Sequence, residues 1–305
     1  MKIKVLGSGA GGGFPQWNCN CANCAGYRAG TIEATPRTQS SLAISDGGEG
    51  WLLVNASPDL RAQLQASPEL QPARAVRDTA IVAVLIVDAQ IDHSTGLMTL
   101  REHTEPLPVY CTPSVHSDLR EGYPLLKVLE HYCGVEWRPV DAIGQVAFEV
   151  PEIPGITMHP LPLPSEAPPY SPRRHNPAED DTIGIVFVDR QSGQRCLYAP
   201  GLGEWTEALI REAQSADCLL IDGTLWDDCE LTQQGAANKT GQEMGHLAQS
   251  GPKGMLERLA PLPGRKILIH INNTNPILNE NSPERQRLNE LGIEVAYDGM
   301  EIEFE

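Results

Sequence analysis

Short apolar runs broken by polar and glycine-rich turns dominate this chain, and their length and alternation predict strands. In the first half these are Lys2–Leu6, Ser41–Ser45, Trp51–Asn55, Ile81–Ala89, Pro108–Thr112 and Ala147–Val150. Thr157–Leu163, Thr182–Arg190, Arg195–Ala199, Cys218–Asp222, Lys266–Ile271 and Glu294–Tyr297 follow. The turn from Asp46 to Gly50 predicts a hairpin. Apolar positions at helical spacing predict helices at Pro58–Ala66, Thr95–His103, Val115–Tyr132, Trp205–Gln214, Thr240–Ala248 and Pro283–Leu291. Strands and helices interleave in both halves, which is an α/β pattern. Pro160 to Pro172 is too proline-rich for regular structure and leads into Arg173, Arg174 and His175. A loop of that length is a linker or a functional lid. Strand-rich sequence resumes on both sides of it, so residues 1–305 read as one domain.

Composition narrows the partners. Against 23 Lys and Arg stand 40 Asp and Glu, for a net charge of −17. Phosphate binding needs a basic field, so nucleic acid is excluded as the main partner and an anionic membrane is disfavoured. The N-terminus lacks a signal-peptide core, and no run approaches the roughly 20 apolar residues of a membrane span. The expected location is cytoplasmic, where eight cysteines are not a disulfide framework. Five are scattered and read as small buried hydrophobes. The other three form Cys19-x-Cys21-x-x-Cys24 in an N-terminal loop at residues 17–25. Three thiols at that spacing suit a structural zinc ion, with a fourth ligand from elsewhere.

Gly7-x-Gly9-x-x-Gly12 follows the first strand, yet Phe14-Pro15-Gln16-Trp17 and the cysteines come next, with no βαβ unit to cradle a pyrophosphate. The glycines are read as letting the first strand turn closely against a neighbour. Asp92 and His93 end the apolar run that begins at Ile81, where α/β folds collect ligands. Taken alone they read better as a helix cap and a packed histidine. His270 ends a second apolar strand, before the polar Asn272-Asn273-Thr274-Asn275. Two histidines and a carboxylate with open positions are the donor set of non-haem Fe(II) oxygenases. His246 lies in a short helical pattern and, taken alone, reads as a solvent-facing side chain. Asp222 stands at another strand end, as acid/base group or support.

The stretch Asp88-Ala89-Gln90-Ile91-Asp92-His93-Ser94-Thr95-Gly96 resembles the metallo-β-lactamase motif His-x-His-x-Asp-His-x-x-Gly, with Asp88 and Gln90 in place of the two leading histidines. The resemblance implies an αββα sandwich of two mixed sheets. It also implies that Asp92, His93 and His270 serve one metal, the second of the usual pair, whereas the first has lost its ligands. The cysteine loop resembles that of phosphonate-pathway phosphodiesterases, in which a histidine is the fourth zinc ligand. Asn273 stands at that position here, so an asparagine oxygen, a water or another residue must complete the sphere. Three blocks, Ser8 to Cys21, Ile91 to Leu97 and Ile269 to Leu278, resemble a branch of the superfamily working in pyrroloquinoline quinone biosynthesis. That implies Fe(II), or another divalent ion, oxygenating the tyrosine-derived ring of a glutamate–tyrosine cross-linked small molecule, with His246 moving protons. The alternatives are a carrier of the cofactor or its precursor, and a divergent metal-dependent hydrolase. Such a substrate carries carboxylates, for which Arg173 and Arg174 are the expected contacts, with His175, Arg37 and Lys239 as further possibilities. Oligomers are compatible with the sequence.

Overall fold

The computed structural model describes residues 1–252 and 254–304. The first sheet is built from β1 (Lys2–Gly7), β2 (Ser41–Ser45), β3 (Trp51–Val54), β4 (Ile81–Leu85), β5 (Leu107–Cys111) and β6 (Val135–Pro139), in that spatial order. The second comprises β7 (Phe148–Glu149), β8 (Ile156–Pro162), β9 (Ile183–Asp189), β10 (Arg195–Ala199), β11 (Cys218–Asp222), β12 (Arg265–Ile269) and β13 (Ile293–Val295). The last strand, β14 (Glu301–Glu303), returns beside β1. Both sheets are mixed. Strands β3 to β6 are mutually parallel, as are β10 to β13.

Alternation along the strands divides the core into three layers. On β4, Ala83 and Leu85 face inward to meet Ile185, Phe187 and Leu220 of the other sheet. Val84 and Ile86 face outward and pack under Leu60, Leu97 and Leu126. Leu219 and Ile221 of β11 pack outward against Leu209, Met255 and Leu288. Helices thus cover the outer face of each sheet, giving the αββα sandwich.

Several elements differ from expectation. Helix Val115–Tyr132 is three pieces, Pro113–Ser117, a wide turn Asp118–Gly122 and Leu125–Leu129; Pro124 cannot donate the bond that would continue the helix. The expected helix at Thr240–Ala248 is one 3₁₀ turn, Gln242–Met244, stopped by Gly245 at φ 84°. The strand expected at Thr157–Leu163 is β8 and includes Pro160 and Pro162, so the irregular proline-rich segment begins only after it. Two-residue β7 pairs only with Met158 and Thr157, so the prolines lie past its reach, where a missing N–H costs no ladder bond. Strands β6 and β14 and helix Ala22–Ala29 carried too little periodic apolar signal to be foreseen.

Two glycines show what the opening motif requires. A Cβ on Gly7 would lie 2.1 Å from the Gln39 carbonyl oxygen, and one on Gly96 would lie 2.1 Å from that of Ser57. The Gly96 N–H also donates to the Ala56 carbonyl at 2.8 Å, which pins the turn after Asp92 and His93 onto β3. Gly96→Ala is therefore expected to lower unfolding free energy by about 3 kcal/mol, read as a shift in urea midpoint with unchanged slope.

Candidate metal centre

Parallel strands β4, β11 and β12 all deliver their C-terminal ends to one place, and the side chains singled out in the sequence converge there. After β4 the chain reaches Asp88, then turns into the short helix Ile91–Ser94 that carries Asp92 and His93. Strand β12 ends at His270, whose backbone is held at a left-handed φ of 61°. A non-glycine residue there costs energy, and such strain concentrates at functional sites. The glycine loop closes the third side. Gly9 bridges Ile271, and a Cβ on Gly11 would sit 3.3 Å from Asp92 Oδ2.

Asp92 Oδ2 lies 3.7 Å from His93 Nε2 and 3.4 Å from His270 Nε2, and donor atoms of the three residues lie within 4.8 Å of one another. Each imidazole is held from behind. His93 Nδ1 meets both carboxylate oxygens of Asp88 at 2.8 Å, so Asp88 supports a ligand where the motif would place one. His270 Nδ1 meets Thr224 Oγ1 at 2.9 Å, and that hydroxyl donates to Asp222 Oδ1 at 2.6 Å. Orientation by a partner on the other ring nitrogen is the usual support for a metal-binding histidine. Among the described residues, His93 Nε2 is buried without a hydrogen-bond partner. A buried orphan nitrogen aimed between Asp92 and His270 fits a metal ion, which would satisfy it.

Electrostatics agree. Burial opposes a charge on His93, yet the carboxylates of Asp88 and Asp92 hold its pKa up at about 9. Burial likewise opposes charge on Asp92, and His93 and His270 outweigh it, keeping that carboxyl well below the usual range. Such a spot stabilises positive charge.

His246 stands beside this set, its ring stacked 5.3 Å from that of His270. Its Nδ1 meets Asp222 Oδ2 at 2.7 Å, leaving Nε2 as the available edge. Burial lowers its pKa, and Asp222 more than restores it, so the net direction is upward. Asp222 is fully buried and accepts from the N–H groups of Leu202 and Thr224, both at 2.9 Å. It holds His246 directly and His270 through Thr224, so it is a positioning residue and not a cavity group. Asp88 and Thr224 are the two site residues that sequence reading missed as contributors. Asp88 was legible only as a lost ligand, and a lone threonine gave no signal.

The donors open into a cavity of about 390 Å³. Ser165, Pro169 and Arg174 from the proline-rich loop line it, together with Lys239, Met244 and Leu231. The loop is packed down, with the Tyr170 hydroxyl donating to the Ala89 carbonyl. Arg174 faces the cavity and Arg173 does not. The Arg173 guanidinium is engaged with Asp181 at 2.8 Å and Asp118 at 2.9 Å, both buried, so the fold turns it to these carboxylates and Arg174 to the cavity. Arg37 is buried elsewhere, against the Ala296 carbonyl, and His175 is not among the lining residues.

The cysteine cluster lies just beyond. Cys21 begins helix Ala22–Ala29, which places Cys24 one turn inside, and the three sulfurs group within 4.8 Å. The Asn273 amide points into them, its Nδ2 at 3.1, 3.5 and 3.4 Å from the Sγ atoms of Cys19, Cys21 and Cys24. Asn23 donates to the carbonyls of Asn273 and Asn275 at 3.1 and 2.8 Å, fastening the cluster to the loop that follows His270.

Fold and strand-end site together define a metallo-β-lactamase-type protein, and residues 50–271 match the family model for the β-lactamase superfamily domain. The chain is similar over nearly its whole length to coenzyme PQQ synthesis protein B of Azoarcus sp. strain BH72, 56% identical and covering 98% of this chain and 99% of the relative. The protein of that name from Cupriavidus necator is 58% identical, covering 98% of each. The crystal structure of Zn(2+)-bound PqqB from Methylobacterium extorquens superposes with a TM-score of 0.89 at 36% identity, over all of both chains. A diphosphatase of the PhnP family shares the fold at 20% identity, with a TM-score of 0.68 over 99% of this chain and 96% of that one. The chain belongs to the coenzyme PQQ synthesis protein B family of the β-lactamase superfamily, and its role lies in pyrroloquinoline quinone biosynthesis. Among the described residues no helix is long and apolar enough to cross a membrane.

Proposed function

We propose that the protein is a one-metal oxygenase, with Fe(II) held by Asp92, His93 and His270, acting on the tyrosine-derived ring of a glutamate–tyrosine cross-linked precursor. The observation that carries this reading is the donor count. Asp92, His93 and His270 converge with free donor edges, whereas in the neighbouring cluster of Asp222, His246 and the shared His270 the facing atoms are taken up by hydrogen bonds among themselves and Thr224. The motif's other positions are spent, with Asp88 on His93 and Gln90 Nε2 3.3 Å from the Glu166 carbonyl. A dimetal hydrolase needs ligands for a second ion that shares the activated hydroxide. The bound ion supplies a place where oxygen and the electron-rich ring meet. Hydroxylation puts one atom of O₂ on the ring and reduces the other to water, consuming two electrons and two protons from an external reductant. His246, oriented by Asp222, presents Nε2 to move one of those protons. Arg174 and Lys239 lie where they can pair with substrate carboxylates. The test is precursor, O₂ and anaerobically Fe(II)-loaded protein, followed by mass. Oxygen gain that disappears in His93→Ala and His270→Ala is expected. Tight metal-independent binding without turnover would establish a carrier instead, and zinc-dependent cleavage of a phosphodiester would establish a hydrolase.

We further infer a structural zinc at Cys19, Cys21 and Cys24. A half-turn of the Asn273 amide would bring its oxygen to where the nitrogen now stands, completing four ligands. Stripping this zinc with a chelator is expected to lower the melting temperature by about 5 °C or more. An unchanged melting curve in a protein shown to have lost one zinc would contradict it.

A further inference from the structure

Consecutive strands β6 and β7 end the first and second sheets, so the connection between them runs along a flank where both sheets have a free edge. Nine large apolar side chains are exposed among the described residues, and five of them fall between residues 128 and 146: Val128 and Tyr132 just before β6, Trp137 within it, and Ile143 and Val146 in the connection to β7. That concentration marks an interaction surface, whereas single exposed apolar residues do not. The far edge of the first sheet is protected in the usual way, with Glu301 and Glu303 of β14 turned to solvent and Ile302 buried.

The phase of β6 says what fits there. Leu107 donates to the Gly134 carbonyl at 3.1 Å and Val140 donates to the Cys111 carbonyl at 3.0 Å. With Leu107 opposite Val135 in a parallel pair, the main-chain groups of Glu136 and Arg138 face β5. Those of Val135, Trp137 and Pro139 face solvent. Pro139, which has no N–H, stands where no ladder bond is lost. Trp137 is anchored by stacking on His116 with centroids 3.9 Å apart, and its Nε1–H donates to the Cys111 carbonyl at 3.2 Å.

We propose that this flank is a two-fold interface with a second copy of the chain, built on antiparallel pairing of the two β6 edges about Trp137. In that register the two Trp137 residues exchange N–H and carbonyl bonds, and Val135 of each chain donates to the Pro139 carbonyl of the other. Glu136 of each chain then lies opposite Arg138 of the copy. Within one chain these two side chains already pair at 2.7 Å, so the four charges close into a ring across the axis. A β6 edge is complementary to itself in charge and in hydrogen bonding, and an isologous contact requires just that of its surface. Cross-strand opposite charges favour the pairing and like charges oppose it.

Sedimentation velocity on the full chain tests this. The wild type is expected at twice the 33.2 kDa of one chain at tens of micromolar. Glu136→Arg and Arg138→Glu should each weaken the dimer about tenfold or more, and the two together should restore it. Ile143→Asp, at a position 60% exposed, should weaken it while leaving circular dichroism and metal content unchanged. A chain that stays monomeric at all concentrations, one that associates only with a different protein, or a dimer indifferent to the single charge reversals would overturn the proposal.

Discussion

Asp88→Ala should weaken metal binding at the Asp92, His93 and His270 site by about 10- to 100-fold, although Asp88 is not itself one of the three donors. The carboxylate meets His93 Nδ1 with both oxygens, and Oδ1 also accepts from the Gln90 N–H at 2.9 Å. It therefore fixes the tautomer and direction of the ring and the turn that carries it. Without it, Nδ1 is left buried and unpaired, and Nε2 is no longer the sole edge offered to the ion. Anaerobic titration with Fe(II) or Co(II) in competition with a chelator measures the change, and Asp88→Asn should fall between wild type and alanine. An unchanged affinity in the alanine variant would mean that His93 does not bind through Nε2.

The second large effect is expected on turnover. His246→Ala should lower kcat by about 10²- to 10⁴-fold with little change in KM, as loss of a positioned proton donor does. Asp222→Asn should lose a comparable factor, because one carboxylate orients His246 directly and His270 through Thr224. The double variant should be little worse than either single one, since residues acting as a unit are not additive. Additive losses would show that Asp222 and His246 act independently. Thr224→Val should weaken metal binding, and Thr224→Ser, which keeps the hydroxyl, should restore it.

The interleaving of strands and helices was legible because the strands are short, apolar and bounded by turns, whereas their arrangement as a sandwich of two mixed sheets came from the resemblance of the Asp88 to Gly96 motif. Asp92, His93 and His270 stood out because each ends an apolar run, and the resemblance grouped them as ligands of one metal; the fold brings their donor atoms within 4.8 Å of one another. The failures have physical causes. Arg173 and Arg174 are adjacent in sequence, and only the packing of the loop sends one to the cavity and the other to Asp118 and Asp181. The helix expected around His246 fails because Gly241 and Gly245 bracket it within a single turn. Strand β6, with its alternating exposed charges and terminal proline, resembles a loop in composition because it is an edge. Asp88 was legible only as a missing histidine, since a residue that holds a ligand leaves no spacing rule of its own. Asn273, by contrast, was placed by resemblance, and the folded loop carries its amide to the three sulfurs.

The central claim is that one metal ion, and not two, sits between Asp92, His93 and His270. Crystals of anaerobically Fe(II)-loaded protein, with diffraction recorded on either side of the iron absorption edge, test it directly. One anomalous peak within bonding distance of Asp92, His93 Nε2 and His270 Nε2 is predicted, and His93→Ala should abolish it. A second iron beside Asp88 and Gln90, or a lone peak away from His93, would contradict it.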